Sequence, residues 1–435
     1  PSIIRTRRHI VRANPSPRDM RLNDASFDSI DGKKSRKNGE PDINHAVQYT
    51  RWLLESLGVW PMVSRDSSKT KKYASKLLIA FCAIFVSFPV LPTAFHMILR
   101  EKSTMVRLVL LGPLSSGIAS ILKYSFIIVS CRTIKLCIEH MEADWMSVES
   151  EDEREIMRKN ARVGRGLTML CGAFLYTGGM SYHSIMPLLK GSKINQFNET
   201  VRPLVYPGFD IFVESQKSPT YEIIFFFTCI SAFIRYTITI TACNLTAVFV
   251  THSCGQIQIV ICRLKKLFDG IDDTRNSDKL QKRISSIIHC HVEGLRLHSQ
   301  INEALREILL IEVVAVTLIT CLLEYYCMME WDNCETVAII TYFLLLVSYV
   351  FNIFILCHIG ELLKEQSHQV GNSTYMIEWY RLPGKTGLAI VMIIAMANRP
   401  RKVSAGRMME LSLSSFGIII KTTVMYLNML RTMAV

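Results

Sequence analysis

The residues of this chain best able to do chemistry are charged groups set inside long apolar runs. Lys421 stands near the middle of a block over 408–431, with Ser412, Ser414, Ser415, Thr422, Thr423, Asn428 and Thr432 around it. Lys123, Arg235, Glu312 and Glu324 interrupt other apolar blocks in the same way. An ionisable side chain in hydrocarbon is costly and usually faces protein or water, so these positions point to helix-to-helix ion pairs or to a polar path through a membrane. Catalysis is not indicated. The histidines are dispersed, and the chain has no HExxH, no GxSxG and no phosphate-cradling glycine loop. The 13 cysteines are scattered, mostly within apolar blocks, and form no CxxC pair. They read as buried free thiols, so neither a metal nor a cofactor is expected.

The elements that must position these groups are long helices. The chain has 435 residues, of which 49% are hydrophobic and 20% charged. A bilayer core about 30 Å thick needs roughly 20 apolar residues per helix. Blocks of that length fall at about 74–98, 106–130, 163–189, 221–250, 308–329, 336–358 and 408–431. The third is the weakest, because Gly164, Gly166, Gly172, Gly178 and Gly179 lower its hydropathy, although glycine allows close packing in spanning helices. A further apolar run over 387–397 is too short to cross. The expected class is an all-α membrane protein with seven spans and one short helix before the last.

Around the spans, residues 1–43 are basic and poor in large apolar groups, as in a disordered tail. Residues 44–72 hold an amphipathic helix, ended by Gly58-Val59-Trp60-Pro61 and expected to lie at the membrane surface, and a linker. Spans one to four occupy 73–250. Segment 251–307 keeps apolar residues at helical spacing (Ile257, Val260, Ile261, Leu264, Leu267) and is expected to continue the fourth helix. Spans five and six occupy 308–358, an anchor with the short helix occupies 359–407, and the last span occupies 408–435. No early apolar stretch of signal-peptide type precedes the first block, which is expected to serve as the insertion signal.

The net charge of +13 would suggest nucleic acid in a soluble protein, but here its distribution follows a membrane pattern. Fifteen Lys and Arg precede the first block, six follow the second (Arg132 to Arg162) and nine follow the fourth (Arg263 to Arg306). The loops at 99–105, 190–220 and 330–335 are poor in them. The amino terminus is therefore expected in the cytoplasm, and seven spans put the carboxy terminus outside. Lys385 before the short helix and Arg399, Arg401, Lys402 and Arg407 after it keep that helix on the cytoplasmic side. Asn198-Glu199-Thr200 is a glycosylation sequon in a loop expected outside, and Asn198 is the candidate acceptor.

The carboxy-terminal third resembles insect odorant receptors. The residues that carry the likeness are Ser404-Ala405-Gly406, read as a helix start, Leu411-Ser412-Leu413-Ser414-Ser415-Phe416, Lys421-Thr422-Thr423 and Tyr426-Leu427-Asn428-Met429-Leu430. Upstream, Cys357-His358-Ile359-Gly360 with Ile377-Glu378-Trp379-Tyr380-Arg381-Leu382-Pro383, then Cys254-Gly255-Gln256-Ile257-Gln258, and Gly58-Val59-Trp60-Pro61 look like family segments in family order. The likeness covers about 44–431. Two departures stand out: the tail before residue 44 is long, and loop 251–307 is shorter than that of the obligate co-receptor. The chain thus looks like a ligand-tuning subunit.

The resemblance implies an odour-binding subunit of a non-selective, ligand-gated cation channel, assembled with the odorant co-receptor as a heterotetramer in the plasma membrane of an olfactory neuron dendrite. Its implied partners are the co-receptor, a small volatile odorant and membrane lipid. It implies that the last helix of each subunit lines the pore, with Met429 at the constriction, Thr432 one turn outward, and Lys421 and Tyr426 on the same helix. It implies an odour site in the outer halves of spans two, three, four and six. There the sequence offers Phe174, Tyr176, Thr177, Met180 and Ser181, with His183 near the mouth; then Ile224, Phe225 and Thr228; then Thr341, Tyr342 and Leu345. Plain core packing is the competing reading of each. The alternative functions are a G-protein-coupled or gustatory-type chemoreceptor and a transporter. Against the first stand the inside amino terminus and the lack of Asp-Arg-Tyr and Asn-Pro-x-x-Tyr motifs; no inverted repeat favours the last.

Overall fold

A computed structural model describes residues 42–434 apart from 66, 149, 191–192, 195–199, 203, 270–276, 333–335, 380–381, 383–385 and 399–400. All but the end of the tail expected to be disordered, and the sequon residues Asn198 and Glu199, lie outside the described residues. The principal helices are α1 Gln48–Ser56, α2 Lys69–Ser87, α3 Val90–Leu99, α4 Thr104–Val129, α5 Cys131–Ser147, α6 Glu151–Met180, α7 Thr220–Lys265, α8 Ser277–Asp332, α9 Thr336–Tyr375, α10 Thr386–Ala397 and α11 Leu413–Ala434. Besides short helical turns there are two small antiparallel ladders: β1 Lys193–Ile194 with β2 Thr200–Val201, and β3 Ser404–Ala405 with β4 Met409–Glu410.

Among the described residues, six helical stretches are long and apolar enough to cross a membrane: Lys69–Leu99, Thr104–Val129, Thr220–Lys265, Asp278–Trp331, Thr336–Tyr375 and Leu413–Thr432. The first bends at Phe88-Pro89, between α2 and α3. The expected third span falls on α6 and is not among the six. Acidic and basic residues fill the first turns of α6, and glycines dilute its second half. It is nonetheless a 30-residue helix packed along α7, and glycine is what permits the fit. A Cβ on Gly178 would lie 2.8 Å from the Leu344 carbonyl oxygen of α9, and one on Gly179 would lie 2.2 Å from the Tyr236 ring of α7.

Helix α7 is the axis of the bundle. Its 46 residues span about 69 Å, more than twice the hydrocarbon thickness, and nearly every side chain from Ser231 to Gln256 is buried. Such burial requires that polar groups be satisfied without water. The hydroxyls of Thr237, Thr241 and Thr246 do this by donating to carbonyls four residues back, at 2.8, 2.7 and 2.9 Å. The helix runs past the fourth apolar block to Lys265, and α8, of 56 residues, returns alongside it. Thr50 of α1 donates to Asn244 of α7 at 2.7 Å, and Asn244 bonds Thr168 of α6, so the amino-terminal helix is tied into the bundle. Helix α10 buries Ile390, Ile393 and Ala397 on the bundle and leaves Leu388, Val391 and Met392 exposed.

One polar chain joins five helices through the middle. Cys171 of α6 donates to Asn352 of α9 at 3.3 Å, and Asn352 donates to Glu312 of α8. Glu312 pairs with Lys123 of α4 at 2.7 Å, and Lys123 also donates to Thr239 of α7 at 2.6 Å. Both charges are buried. The described cysteines are free thiols.

The last block departs from its expected start. Ser404-Ala405-Gly406 lies in a hairpin, not a helix. Gly406 and Arg407 take positive φ values of 59° and 60°, which turn the chain back to Met409, and α11 starts only at Leu413. The Gly406 amide donates to the Arg306 carbonyl, seating the hairpin on α8.

Two outcomes follow from this packing. Gly178→Ala and Gly179→Ala should each lower the melting temperature of the detergent-solubilised chain, as overpacking costs about 1–3 kcal/mol. Gly166→Ala, whose Cβ meets nothing within 4 Å, should not. Equal melting of all three variants would discard the close-approach account. Removing one buried charge by Glu312→Gln or Lys123→Met should destabilise by about 3–5 kcal/mol, and Lys123→Met with Glu312→Leu should recover most of it. Surface biotinylation with thermal melting reads both; a double variant as damaged as the worse single one would deny that the two charges act as a pair.

Candidate functional site

Two small adjoining chambers lie inside the bundle between α4, α7, α8 and α9. The first is walled by Ser116, Ser120 and Lys123 of α4, Arg235, Tyr236 and Thr239 of α7, Glu312 and Ile319 of α8, and Tyr349 of α9. The second adds Gly112, Pro113, Tyr182, His183, Tyr206, Leu323, Tyr326 and Leu345, and shares Ser116, Tyr236, Ile319 and Tyr349 with the first. The free space is about 10 and 20 Å³, room for roughly a water molecule in each. The second is lined largely by aromatic rings with a few polar groups, the composition of small-molecule sites, whereas the first is more polar and holds three charged side chains.

Local sequence explains how the wall is built. Pro113 has no N–H, so it cannot satisfy the Val109 carbonyl one turn back in α4. The Tyr326 hydroxyl of α8 supplies that bond at 3.0 Å and also reaches the Leu108 carbonyl at 2.7 Å. Gly112 makes room for it: a Cβ there would lie 2.8 Å from the Tyr326 oxygen. On the opposite wall, α6 opens into a π turn over Ser181–Ile185, with Tyr182 and His183 both buried. Such turns recur at functional sites.

His183 and Arg235 form the polar centre. The Arg235 Nη2 lies 2.8 Å from His183 Nε2, and His183 Nδ1 lies 2.9 Å from the Gly179 carbonyl oxygen. Arginine can only donate and a carbonyl can only accept, so the imidazole is neutral with its proton on Nδ1. The Tyr206 ring covers the guanidinium at 5.0 Å, a cation–π contact. Arg235 is 3% exposed, and its Nε and Nη1 have no hydrogen-bond partner among the described residues.

The residues singled out from the sequence lie around these chambers in three groups. Leu345 and His183 line the second chamber. Tyr342 backs it, with its ring 5.8 Å from Tyr182 and 5.6 Å from Tyr326, and Ile224 packs with Tyr206 and Phe209 over its end. The others point elsewhere. Phe174 stacks on Phe351, Tyr176 bonds Thr237 and faces an outer groove with Tyr49 and Trp52, and Thr177 is exposed. Met180 is half-buried. The Ser181, Thr228 and Thr341 hydroxyls return to carbonyls of their own helices, and Phe225 stacks on Tyr221. The sequence reading missed Tyr182, Tyr206, Tyr236, Tyr326 and Tyr349. The Gly112-Pro113 pair was the available signal for Tyr326; Tyr206 sits in a loop without periodicity and gave none.

Helix α11 leans on α8 and leaves most of its surface open. Thr423 is buried and lies 3.3 Å from Glu324 of α8, whereas Lys421, Met425, Tyr426, Asn428, Met429 and Thr432 are exposed. Met429 retains 56% and Tyr426 47% of their accessible surface. Polar and apolar residues are thus mixed on the outward face of a membrane-length helix.

Comparison with known proteins agrees with this architecture. The family model described as 7tm Odorant receptor matches residues 108–424, well over half of the chain. Odorant receptor Or2 of Anopheles gambiae is 22% identical over 322 residues, covering 72% of this chain and 80% of that protein. Odorant receptor 67c of Drosophila melanogaster is 20% identical over 407 residues, covering 89% and 94%. The olfactory receptor OR5 of Machilis hrabei, solved in complex with eugenol, superposes with a TM-score of 0.69 at 14% identity, covering 93% of this chain and all of that one. With its apolar helices, this makes the chain a multi-pass membrane protein and a receptor, not an enzyme; it belongs to the insect odorant receptor family.

Proposed function

We propose that this chain is the odour-binding subunit of a ligand-gated, non-selective cation channel. Its partner would be the odorant co-receptor in a heterotetramer, in the plasma membrane of an olfactory neuron dendrite. The observation that carries this reading is that one helix serves both the chambers and the last helix. Ile319, Leu323 and Tyr326 of α8 wall the chambers, and Glu324 beside them reaches Thr423 of α11.

In this conformation the chambers are too small for an odorant. A molecule that enters must part α4, the π turn and α8, and so binds better to a widened state. A ligand shifts an equilibrium only by such a difference in affinity, and about 1.4 kcal/mol changes the ratio tenfold. The widening moves α8, and α8 carries α11. The exposed face of α11 would meet its counterparts around a pore. There Met429 would form an apolar constriction that gates by dewetting, with Lys421, Tyr426 and Thr432 along the path. That the similar Machilis hrabei receptor was solved with eugenol supports entry of a small organic molecule into this fold.

The basic residues of the amino-terminal segment and of the α7–α8 turn would hold that end of the bundle in the cytoplasm. The exposed apolar face of α10 would then pack against a neighbouring subunit.

Whole-cell recording tests the channel. Expressed with an insect odorant co-receptor and given a panel of volatiles, the chain should produce a fast cation current that is absent without the co-receptor. Met429→Ala or Thr432→Ala should alter ion permeability ratios while leaving surface delivery intact. A response that requires G protein, or silence across the panel despite surface delivery, would reject the channel. Independently, an epitope at the amino terminus should be labelled only after permeabilisation and one at the carboxy terminus without it; the reverse pattern would refute the proposed topology.

A further inference from the structure

We propose that Arg235 is the recognition point for an sp² oxygen on the ligand. The chambers would then take small carbonyl compounds or carboxylates whose carbon frame sits among aromatic rings. This rests on the chambers being the ligand site proposed above.

The argument begins with the guanidinium's donors. Arg235 has five N–H groups in a planar fork. Nη2 is engaged by His183 at 2.8 Å, one face is covered by the Tyr206 ring, and the Tyr206 hydroxyl is within hydrogen-bonding reach of the guanidinium. Nε and Nη1 have no acceptor among the described residues, although the side chain is 3% exposed and lines the first chamber. A buried charged donor without a partner is expensive, more so than a neutral one. A residue serving only to hold helices together would have its donors met, as Lys123 has two of its three met by Glu312 and Thr239.

Charge points the same way. The first chamber holds Lys123 and Arg235 against a single carboxylate, Glu312, and that carboxylate is already taken by Lys123 and Asn352. The cavity thus holds two cationic side chains against one carboxylate, with the three N–H groups on Arg235 Nε and Nη1 unmatched among the described residues. An acceptor oxygen placed at Nη1 or at Nε meets this need, and an sp² oxygen offers in-plane lone pairs to such a donor. Hydrocarbons and amines do not: the first leave the donors unfilled, and the second add a like charge or compete with the existing donors. Tyr236 and Tyr349, which wall both chambers, and Tyr182 in the second supply ring faces for the carbon frame.

The test uses the full chain and matched ligands that share a skeleton and differ in oxygen: acetophenone, benzoate and ethylbenzene, with the ketone, carboxylate and hydrocarbon of cyclohexyl and hexyl skeletons. Two readouts are taken, current with the co-receptor and thermal stabilisation of the purified chain. On at least one skeleton an oxygenated member should act at roughly ten- to a hundredfold lower concentration than its hydrocarbon, the range expected for hydrogen bonds to a charged donor. Preference for benzoate would identify carboxylates as the class, and preference for acetophenone neutral carbonyls. Arg235→Met should draw the oxygenated potency down toward the hydrocarbon value, and Arg235→Lys should keep part of the difference. Equal potency within every triplet, no action by any triplet in either readout, or an Arg235→Met that weakens all members equally would overturn the inference. If Arg235→Met does not fold, the series on the unaltered chain decides. Stabilisation by the oxygenated compounds without any current would leave this inference standing and reject the channel reading instead.

Discussion

The structure depends on one constraint: inside a bundle surrounded by lipid, a polar group must find its partner within the protein. The chain from Cys171 through Asn352, Glu312 and Lys123 to Thr239 meets that constraint while linking α6, α9, α8, α4 and α7. Since water cannot substitute, the relative heights of these five helices are fixed by side-chain reach. Along α7 the constraint is met partly within the helix, by threonine hydroxyls that return to their own carbonyls, and partly by neighbours, as at Asn244 with Thr50 and Thr168. Pro113 breaks the rule at Val109, and Tyr326 restores it from α8. The chambers lie beside this network, where α4 and α8 are held at a set distance by Lys123 and Glu312 at one level and by Tyr326 at another.

That arrangement bears on how a small ligand could move a large protein. A packed interior is not continuously deformable, so a molecule that cannot fit in the closed chambers must select another packing. The helix with most to transmit is α8, because it has a wall of the chambers on one side and α11 on the other. Helix α11 packs along α8, and Thr423 donates to Glu324 at 3.3 Å. Glu324 Oε2 has no partner among the described residues, unlike the carboxylate of Glu312.

Much of the class was legible in the sequence, and the reasons are specific. Blocks of twenty or more apolar residues have no other use in a chain of this length, and the basic residues crowd their ends. Lys123 and Glu312 were conspicuous as charges in apolar runs, but their pairing is a matter of helix height, which periodicity does not encode. The third span shows the limit of hydropathy. Glycines and charges disguise α6, yet those glycines are what bring it against Tyr236 and Leu344. The hairpin at 404–410 was hidden because Ser-Ala-Gly suits a helix start as well as a turn; the positive φ at Gly406 and Arg407 decides it.

The site was less legible than the fold because its walls are set by exceptions to regular structure. The π turn brings Tyr182 and His183 to the chamber wall, where an ideal helix continued from Thr177 and Met180 would present a different register. Tyr206 arrives from a loop, and Tyr326 is placed by a missing backbone proton in another helix. Each is a local irregularity in one segment answered by a side chain from another, and no single window of sequence contains both halves. Arg235 is the converse: its position within an apolar block was plain, and what its fork lacks became visible only when the surrounding groups were in place. Lys123 finds Glu312 and Thr239 within the bundle and is structural; Arg235, buried with Nε and Nη1 unpartnered among the described residues, is where the proposed ligand would contribute.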